Sequence, residues 1–397
     1  MSDPFRGFAA GAASAEVAGY FERRGGRGHG PGLAVSFTGA REVRPLDRRT
    51  DVGAFAREAD RFLAGGPHRA VLGYAGFDAV GLFEPALRAF PSGSPFPLGE
   101  FAFVPRPTVR SVAPPRLGAS RPVSHRTPES DSLPRRPFES SVRRLQRDIR
   151  DGEAFQVVLA HRRTWKRPAD LLEGAARLRA SERYAFFFYL KFGDRELVGA
   201  APEAVVQLDR GRAYVDPIAG TMWEGPGAEN RAALHVDPKE LAEHRMLVDL
   251  ARNDLGRVAR PGSVHLLWRE RKVRYARLTH LVSRVGAELE PSVGPWQALG
   301  ATFPAGTVSG APKIRATELL RREEATWRGP YAGAVGLVRS HGRADFALAI
   351  RAAYAAGPTL YTSAGAGIVH RSRPAQEFRE TLAKLSHVEE SLLGGPA

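Results

Sequence analysis

Cysteine is absent from all 397 residues. That excludes disulfides, iron–sulfur clusters, thiolate zinc sites and any cysteine nucleophile, and leaves His, Asp and Glu as the side chains for a metal. Carboxylate and water ligands suit hard cations such as Mg²⁺. Also missing are an apolar run of the ~20 residues that span a bilayer and a signal-peptide hydrophobic stretch at the N-terminus. A cytoplasmic protein with no membrane partner is the expectation. The sequence has no P-loop, no G-x-G-x-x-G fingerprint and no G-x-S-x-G elbow, so nucleotide-binding and serine-hydrolase readings have no support.

Acidic residues are in deficit, 43 against 58 Lys and Arg, for a net charge of +15. Such a field either steers an anionic ligand or holds nucleic acid, or it is simply an Arg-rich surface. The basic residues are scattered and not interleaved with aromatics, so no nucleic-acid partner is expected. The one RNA-like fragment, Arg24 to Gly30, reads as a flexible N-terminal loop.

What is present is ample apolar material, 43% of the chain, for a large core. Residues 1–30 are rich in Gly and Ala and read as poorly ordered at their start. Strand-like runs follow at Leu33–Phe37 and Ala70–Tyr74, with a helix over 52–64 between them. A Pro-, Arg- and Ser-rich stretch then reads as a linker. This divides the chain into an N-terminal region (1–105), a linker (106–137) and a larger domain (138–397). In that domain, Val142, Leu145 and Ile149 mark a helix ending at Gly152, and Ala154–Ala160 a buried strand. Strands near 185–192, 197–199, 204–208 and 213–215 alternate with helices at 239–255, 312–325 and 374–392, arguing a mixed α/β or α+β domain.

Two of those helices carry paired carboxylates. Glu240, Glu243, Leu247 and Leu250 share one helix face, as do Glu377, Glu380 and Lys384 on the other. One such pair alone reads equally as a solvated edge beside a buried stripe. Two pairs facing inward give four carboxylates that cannot be buried bare, and a hard divalent cation resolves them. Between these helices lie two small-residue segments, Phe303–Lys313 and Ser363–Ile368, which read as anion-binding backbone nests or as tight turns at strand ends. Arg351, ending the apolar run Phe346–Ile350, would grip a carboxylate or sit in a structural ion pair. Unaided chemistry describes a pocket for a small ligand with more than one carboxylate.

Several strings identify a resemblance. Phe155–Leu159, Pro217–Thr221, Lys239–Val258, Thr279–Ser283, Phe303–Ala316, Gly329–Gly336 and Ala364–Val369 resemble component I of anthranilate synthase, a chorismate-utilising family. Their order and nearly all spacings agree from about residue 138 to 390. Gly73–Asp78 and Phe83–Pro85 extend the resemblance more weakly into the N-terminal third. The resemblance implies an α+β fold, an antiparallel β-sandwich with helices packed outside. It implies that Glu243 and Glu380 hold Mg²⁺, with Glu240 and Glu377 beside them, partly through water. The metal would bind the ring carboxylate of chorismate, near Gly365, Ala366, Gly367 and Lys384. Tyr331 and Arg351 would bind the enolpyruvyl carboxylate, while Thr307, Gly220 and Thr221 complete the pocket. Glu203 would be the general acid for the departing ring hydroxyl, and His280 would assist loss of pyruvate.

Two positions discriminate within the family. Relatives that add water to chorismate carry Lys where this chain has Gln156, and a neutral Gln cannot activate water as a base, so Gln156 points to amination. Ala219 stands where relatives that make 4-amino-4-deoxychorismate often carry a nucleophilic Lys. The resemblance therefore implies attack of ammonia at ring position 2 and elimination of pyruvate to anthranilate, the first step of tryptophan biosynthesis. Aminodeoxychorismate synthase and 2-amino-2-deoxyisochorismate synthase are the alternative activities. The chain departs from the family pattern at Met222–Glu224, with a shortened segment before Lys239, and at Ala201 in place of Ser. Ser36–Gly39 replaces the strand that binds tryptophan in feedback-inhibited members. A chain without cysteine cannot act as the glutaminase, so ammonia would come free or from a glutamine amidotransferase subunit in a hetero-oligomer.

Overall fold

A computed structural model describes residues 3–25, 32–39, 42–87, 93–112, 127–181, 184–223, 238–275, 278–324 and 326–394, without the side chains at 181, 219–223, 238–240, 274–275 and 278–280. Strands such as Ala70–Ala75 and Phe186–Phe192 are apolar on both faces and need cover on both sides. They lie in two antiparallel sheets. In spatial order the first is β16 (Gly310–Ala311), β8 (Gln156–Lys166), β20 (Thr359–Ile368), β19 (Ala352–Ala356) and β10 (Arg195–Ala201). It continues through β9 (Phe186–Phe192), β1 (Val17–Arg23), β2 (Leu33–Thr38) and β6 (Thr108–Ser111), with β7 (Ser130–Asp131) alongside β8. The second runs β13 (Ile218–Trp223), β15 (Leu278–Glu288), β12 (Arg212–Val215), β11 (Ala204–Asp209) and β18 (Arg343–Leu348). It ends with β17 (Ala334–Arg339), β4 (Ala70–Ala75), β5 (Gly99–Val104) and β3 (Glu42–Leu46), while β14 (His265–Tyr275) pairs with β15.

Phe21 and Phe188 of the first sheet and Leu72 and Phe346 of the second belong to one apolar core. Outside the first sheet, α1 (Pro4–Ala12), α5 (Leu171–Ser181) and α10 (Pro374–Leu393) cover Tyr20, Phe187 and Tyr189. Phe55 of α2 (Val52–Ala64) meets Trp296 of α7 (Pro295–Thr302) edge-on, with ring centroids 4.8 Å apart. The remaining helices are α3 (Val80–Phe83), α4 (Arg135–Arg150), α6 (Pro238–Gly256), α8 (Gly306–Ser309) and α9 (Lys313–Glu324). This is the expected antiparallel sandwich with outer helices. Among the described residues no helix is long and apolar enough to cross a membrane.

Two expectations from sequence change in physical detail. The start of the chain is structured: Asp3 caps α1, Phe5 and Phe8 bury, and β1 sits inside the first sheet. Its Glu22 is fully buried between the hydroxyls of Tyr20 and Tyr184 and the guanidinium of Arg179. Gly and Ala content concealed this, because burial here comes from partners distant in sequence. Residues 26–31, most of the Arg24–Gly30 fragment, lie outside the described residues. Composition marks 106–137 as a linker, and the described part of it contributes β6 and β7; residues 113–126 lie outside the description. Strands from both sides of this stretch share both sheets, β1 with β9 and β4 with β17.

Candidate active site

The site forms where β8, β20, α6, α8 and α10 meet. Ser363–Ile368, read from sequence as a backbone nest or turn, is the second half of β20 and pairs with β8 throughout. β19 leaves β20 after Thr362, so among the described residues that half has no second strand beside it. At this edge the Gly365 carbonyl accepts a 2.8 Å bond from Lys384 Nζ. Lys384 also pairs with Glu380 one turn earlier, at 2.7 Å. Arg351 lies beyond β18 with φ of 49°, a left-handed backbone rare outside glycine, and its Nη1 reaches the Lys384 carbonyl at 3.5 Å.

The small residues of β20 leave room for close neighbours. A Cβ on Gly367 would stand 2.5 Å from Gln156 Nε2 and 3.7 Å from Glu243 Oε1. One on Gly365 would stand 3.2 Å from the Tyr331 hydroxyl. Gln156, itself buried, donates from Nε2 to Glu243 Oε1 at 2.7 Å, so the first residue of β8 orients a carboxylate of α6. Tyr331 is buried, and burial pushes its hydroxyl up to about 12 despite the nearby Arg328 guanidinium, keeping it a neutral donor.

Glu203 follows β10 at the turn into β11. Thr307 of α8 donates its hydroxyl to Glu203 Oε1 at 2.9 Å. Burial raises the Glu203 carboxyl to about 8; the Thr307 bond pulls it down and the charge of Asp216 adds to the rise. This carboxyl holds a proton at neutral pH, as a general acid must.

The paired carboxylates divide differently from the helical-face reading. Glu377 is buried, whereas Glu380 is exposed and Glu243 half-buried. Residues three apart on a helix sit about 60° apart around its axis, so one can face inward while the next lies at the rim. The Glu240 side chain is outside the described residues. Among the described residues, no three His, Cys, Asp or Glu side chains form a metal-holding group. The donors that face this region are nonetheless carboxylate oxygens, the chemistry that suits a hard divalent cation.

Gly220 falls at a bulge in the β13–β15 pairing, and Thr221 opposes His280 across it. The side chains of Ala219, Thr221, Met222 and His280 lie outside the described residues, as does Glu224. Ala366 is buried on β20 opposite Leu159.

Sequence reasoning passed over three buried polar pairs behind the site. His244, next to Glu243, places Nε2 2.6 Å from Ser283 Oγ on β15. His161 bridges Asp131 of β7 and Thr381 of α10, each at 2.9 Å. Lys313 of α9 donates to both oxygens of Asp254 on α6 at 2.8 Å and to the Thr302 carbonyl at 3.0 Å.

Residues 20–390 match the model of the chorismate binding enzyme family. The chain is 42% identical over 256 residues to anthranilate synthase component 1 of Methanothermobacter marburgensis, covering 64% of this chain and 56% of that one. It is 43% identical over 257 residues to the protein of that name from Mycolicibacterium smegmatis, covering 62% of this chain and 49% of that one. The matches thus span about half the length of these curated relatives. Among solved structures, anthranilate synthase component I of Streptococcus pneumoniae superposes with a TM-score of 0.78 at 27% identity, over 90% of this chain and 92% of that one. The menaquinone-specific isochorismate synthase of Escherichia coli shares the fold, with a TM-score of 0.76 at 20% identity over 99% of this chain and 92% of that one.

Proposed function

The chain belongs to the chorismate-binding enzyme family, and from that premise we propose that it aminates chorismate with ammonia and eliminates pyruvate to give anthranilate. The observation that carries the reading is the Glu203–Thr307 pair, a buried carboxyl that keeps its proton near neutrality. Ammonia attacks ring position 2 and its nitrogen gives up a proton, the ring double bonds shift, and the C4 hydroxyl leaves as water with the proton of Glu203. The C2 proton is then lost, the ring C3–O bond breaks, and the departing enolpyruvate takes up a proton to become pyruvate, leaving the aromatic ring; His280 would assist this second step. Gln156 supports amination over hydration, because its amide is occupied as a donor to Glu243 and has no basic nitrogen with which to activate water.

Tyr331 and Arg351 would bind the enolpyruvyl carboxylate, and the β20 segment Gly365–Gly367 with Lys384 would line the ring side. Mg²⁺ would be held by Glu243 and Glu380, with Glu240 and Glu377 beside them, and would supply positive charge for the ring carboxylate. The carboxylate donor set supports this. Ammonia would come from a glutamine amidotransferase partner in a hetero-oligomer, in the cytoplasm.

The test is incubation with chorismate, Mg²⁺ and ammonium at mildly alkaline pH, followed by product identification. Anthranilate fluorescence with equimolar pyruvate is expected. Consumption of chorismate without pyruvate would transfer the reading to the aminated, uneliminated products, and no consumption would overturn it. Glu243→Gln and Glu380→Gln should each abolish Mg²⁺-dependent turnover with the circular dichroism spectrum unchanged.

A further inference from the structure

Among the described residues, the edge of β8 that faces away from β20 is covered by strands only at its ends. β16 pairs with it at Gln156 and Val157, and β7 at Arg163 and Thr164. Between them, among the described residues, no strand lies against Val158 and Ala160. Their backbone groups would be buried without partners, at a cost of about 1–3 kcal/mol each. Two charged side chains stand in for the missing strand. Arg328 Nη2 donates to the Val158 carbonyl at 2.7 Å, and the Ala160 N–H donates to Glu324 Oε1 at 2.9 Å. Arg328 and Glu324 are themselves ion-paired, and they are only 4% and 7% exposed.

The same guanidinium reaches two further parts of the site. Its Nη1 donates to the Val308 carbonyl at 2.7 Å, within α8 and one residue from Thr307. Its Cζ lies 4.4 Å from the Phe77 ring centroid and 5.8 Å from that of Tyr331. The backbone N–H groups of Arg328 and Gly329 donate to Asp78 at 3.1 and 2.8 Å, which fixes the segment leading to Tyr331. A planar fork with several donors can hold two carbonyls and a carboxylate at once; a lysine ammonium cannot do so in the same plane.

We propose that Arg328, held by Glu324, is a positioning residue that sets the spacing between the β8 corner, where Gln156 orients Glu243 of α6, and the α8 turn that presents Thr307 to Glu203. It acts through β8, α8 and the segment leading to Tyr331. The inference rests on the chorismate-aminating reading.

The experiment compares the unmodified chain with Arg328→Lys, the double variant Arg328→Gln/Glu324→Gln, and Arg144→Lys as control. The double variant removes both charges together, so neither is left buried alone. The control makes the same Arg-to-Lys change in an ion pair one residue along α9, between Arg144 of α4 and Glu323. In folded Arg328→Lys and folded double variant, kcat for chorismate should fall by about 100-fold, as for a misplacement of order 1 Å. The KM for chorismate should stay within about threefold, and the control within about twofold in both. The alkaline limb of the kcat–pH profile should move to higher pH as Thr307 slackens its bond to Glu203, a change that general loss of stability would not produce. Unchanged kcat in either folded variant overturns the proposal. So does failure of both to fold, which would assign the pair to the scaffold alone. If the unmodified chain consumes no chorismate, the functional reading itself falls.

Discussion

At the residue scale the most informative group is Glu203. Its carboxyl sits at about 8 because burial disfavours the anion. Activity that depends on its proton should therefore decline as pH rises through about 8. Glu203→Gln keeps the shape without a proton to give, and kcat should fall by about 10²–10⁴-fold. Thr307→Val removes the bond that lowers this pKa and should shift the alkaline limb upward; an unmoved limb would dissociate Thr307 from the acid. The same shift has a stability consequence. Because the folded pKa lies above the ordinary carboxylate value, this group's contribution is full below that value and is lost as pH rises towards and through about 8. Thermal unfolding of Glu203→Gln should accordingly lose less stability between pH 6 and 9 than the unmodified chain, at about 1.4 kcal/mol per unit of pKa difference at most.

At the element scale the question is what fixes α6, the helix that carries Glu243 towards β8. One end is tied to α9 and α7 through Lys313, Asp254 and the Thr302 carbonyl. Burial lowers the Lys313 ammonium and raises the Asp254 carboxyl, and each partner's charge opposes the other's shift. Lys313→Met would strand a buried carboxylate and should cost about 3–5 kcal/mol in urea unfolding. Lys313→Met/Asp254→Leu removes both charges and should recover more than half of that loss. If the double variant is as unstable as the single, packing and not charge is what the pair provides. β20 shows the complementary device, in which Gly365 and Gly367 omit side chains so that Tyr331, Gln156 and Glu243 can close around the strand.

At the scale of the whole molecule, the two sheets are assembled from both ends of the sequence, so the site cannot be separated from the N-terminal strands. β1 joins β9 and β4 joins β17 within the layers that support Glu203 and Tyr331. The missing cysteine also acts at this scale. The purified chain should turn over chorismate with ammonium and not with glutamine, until an amidotransferase partner is added; glutamine-dependent turnover by the chain alone would sink the two-protein reading. Much was legible beforehand. The helix at 52–64 was read with the bounds it has, and those at 239–255 and 374–392 to within a residue or two, because apolar periodicity and Pro374 are local signals. The carboxylate pairs and Gln156 were legible as residue types at fixed spacings. The order of residues 3–25 was not, since Glu22 and Phe5 are held by Arg179 and Phe187, far along the chain. Nor was the exposure of Glu380, or the role of Arg328, one Arg among many until the fold set it against a strand edge. The sequence by itself determined the chemistry available: oxygen ligands, no thiol, a neutral amide where a base would stand. Only the tertiary structure decided which carboxyl keeps its proton, because burial and partners, which set a pKa, are properties of neighbours in space.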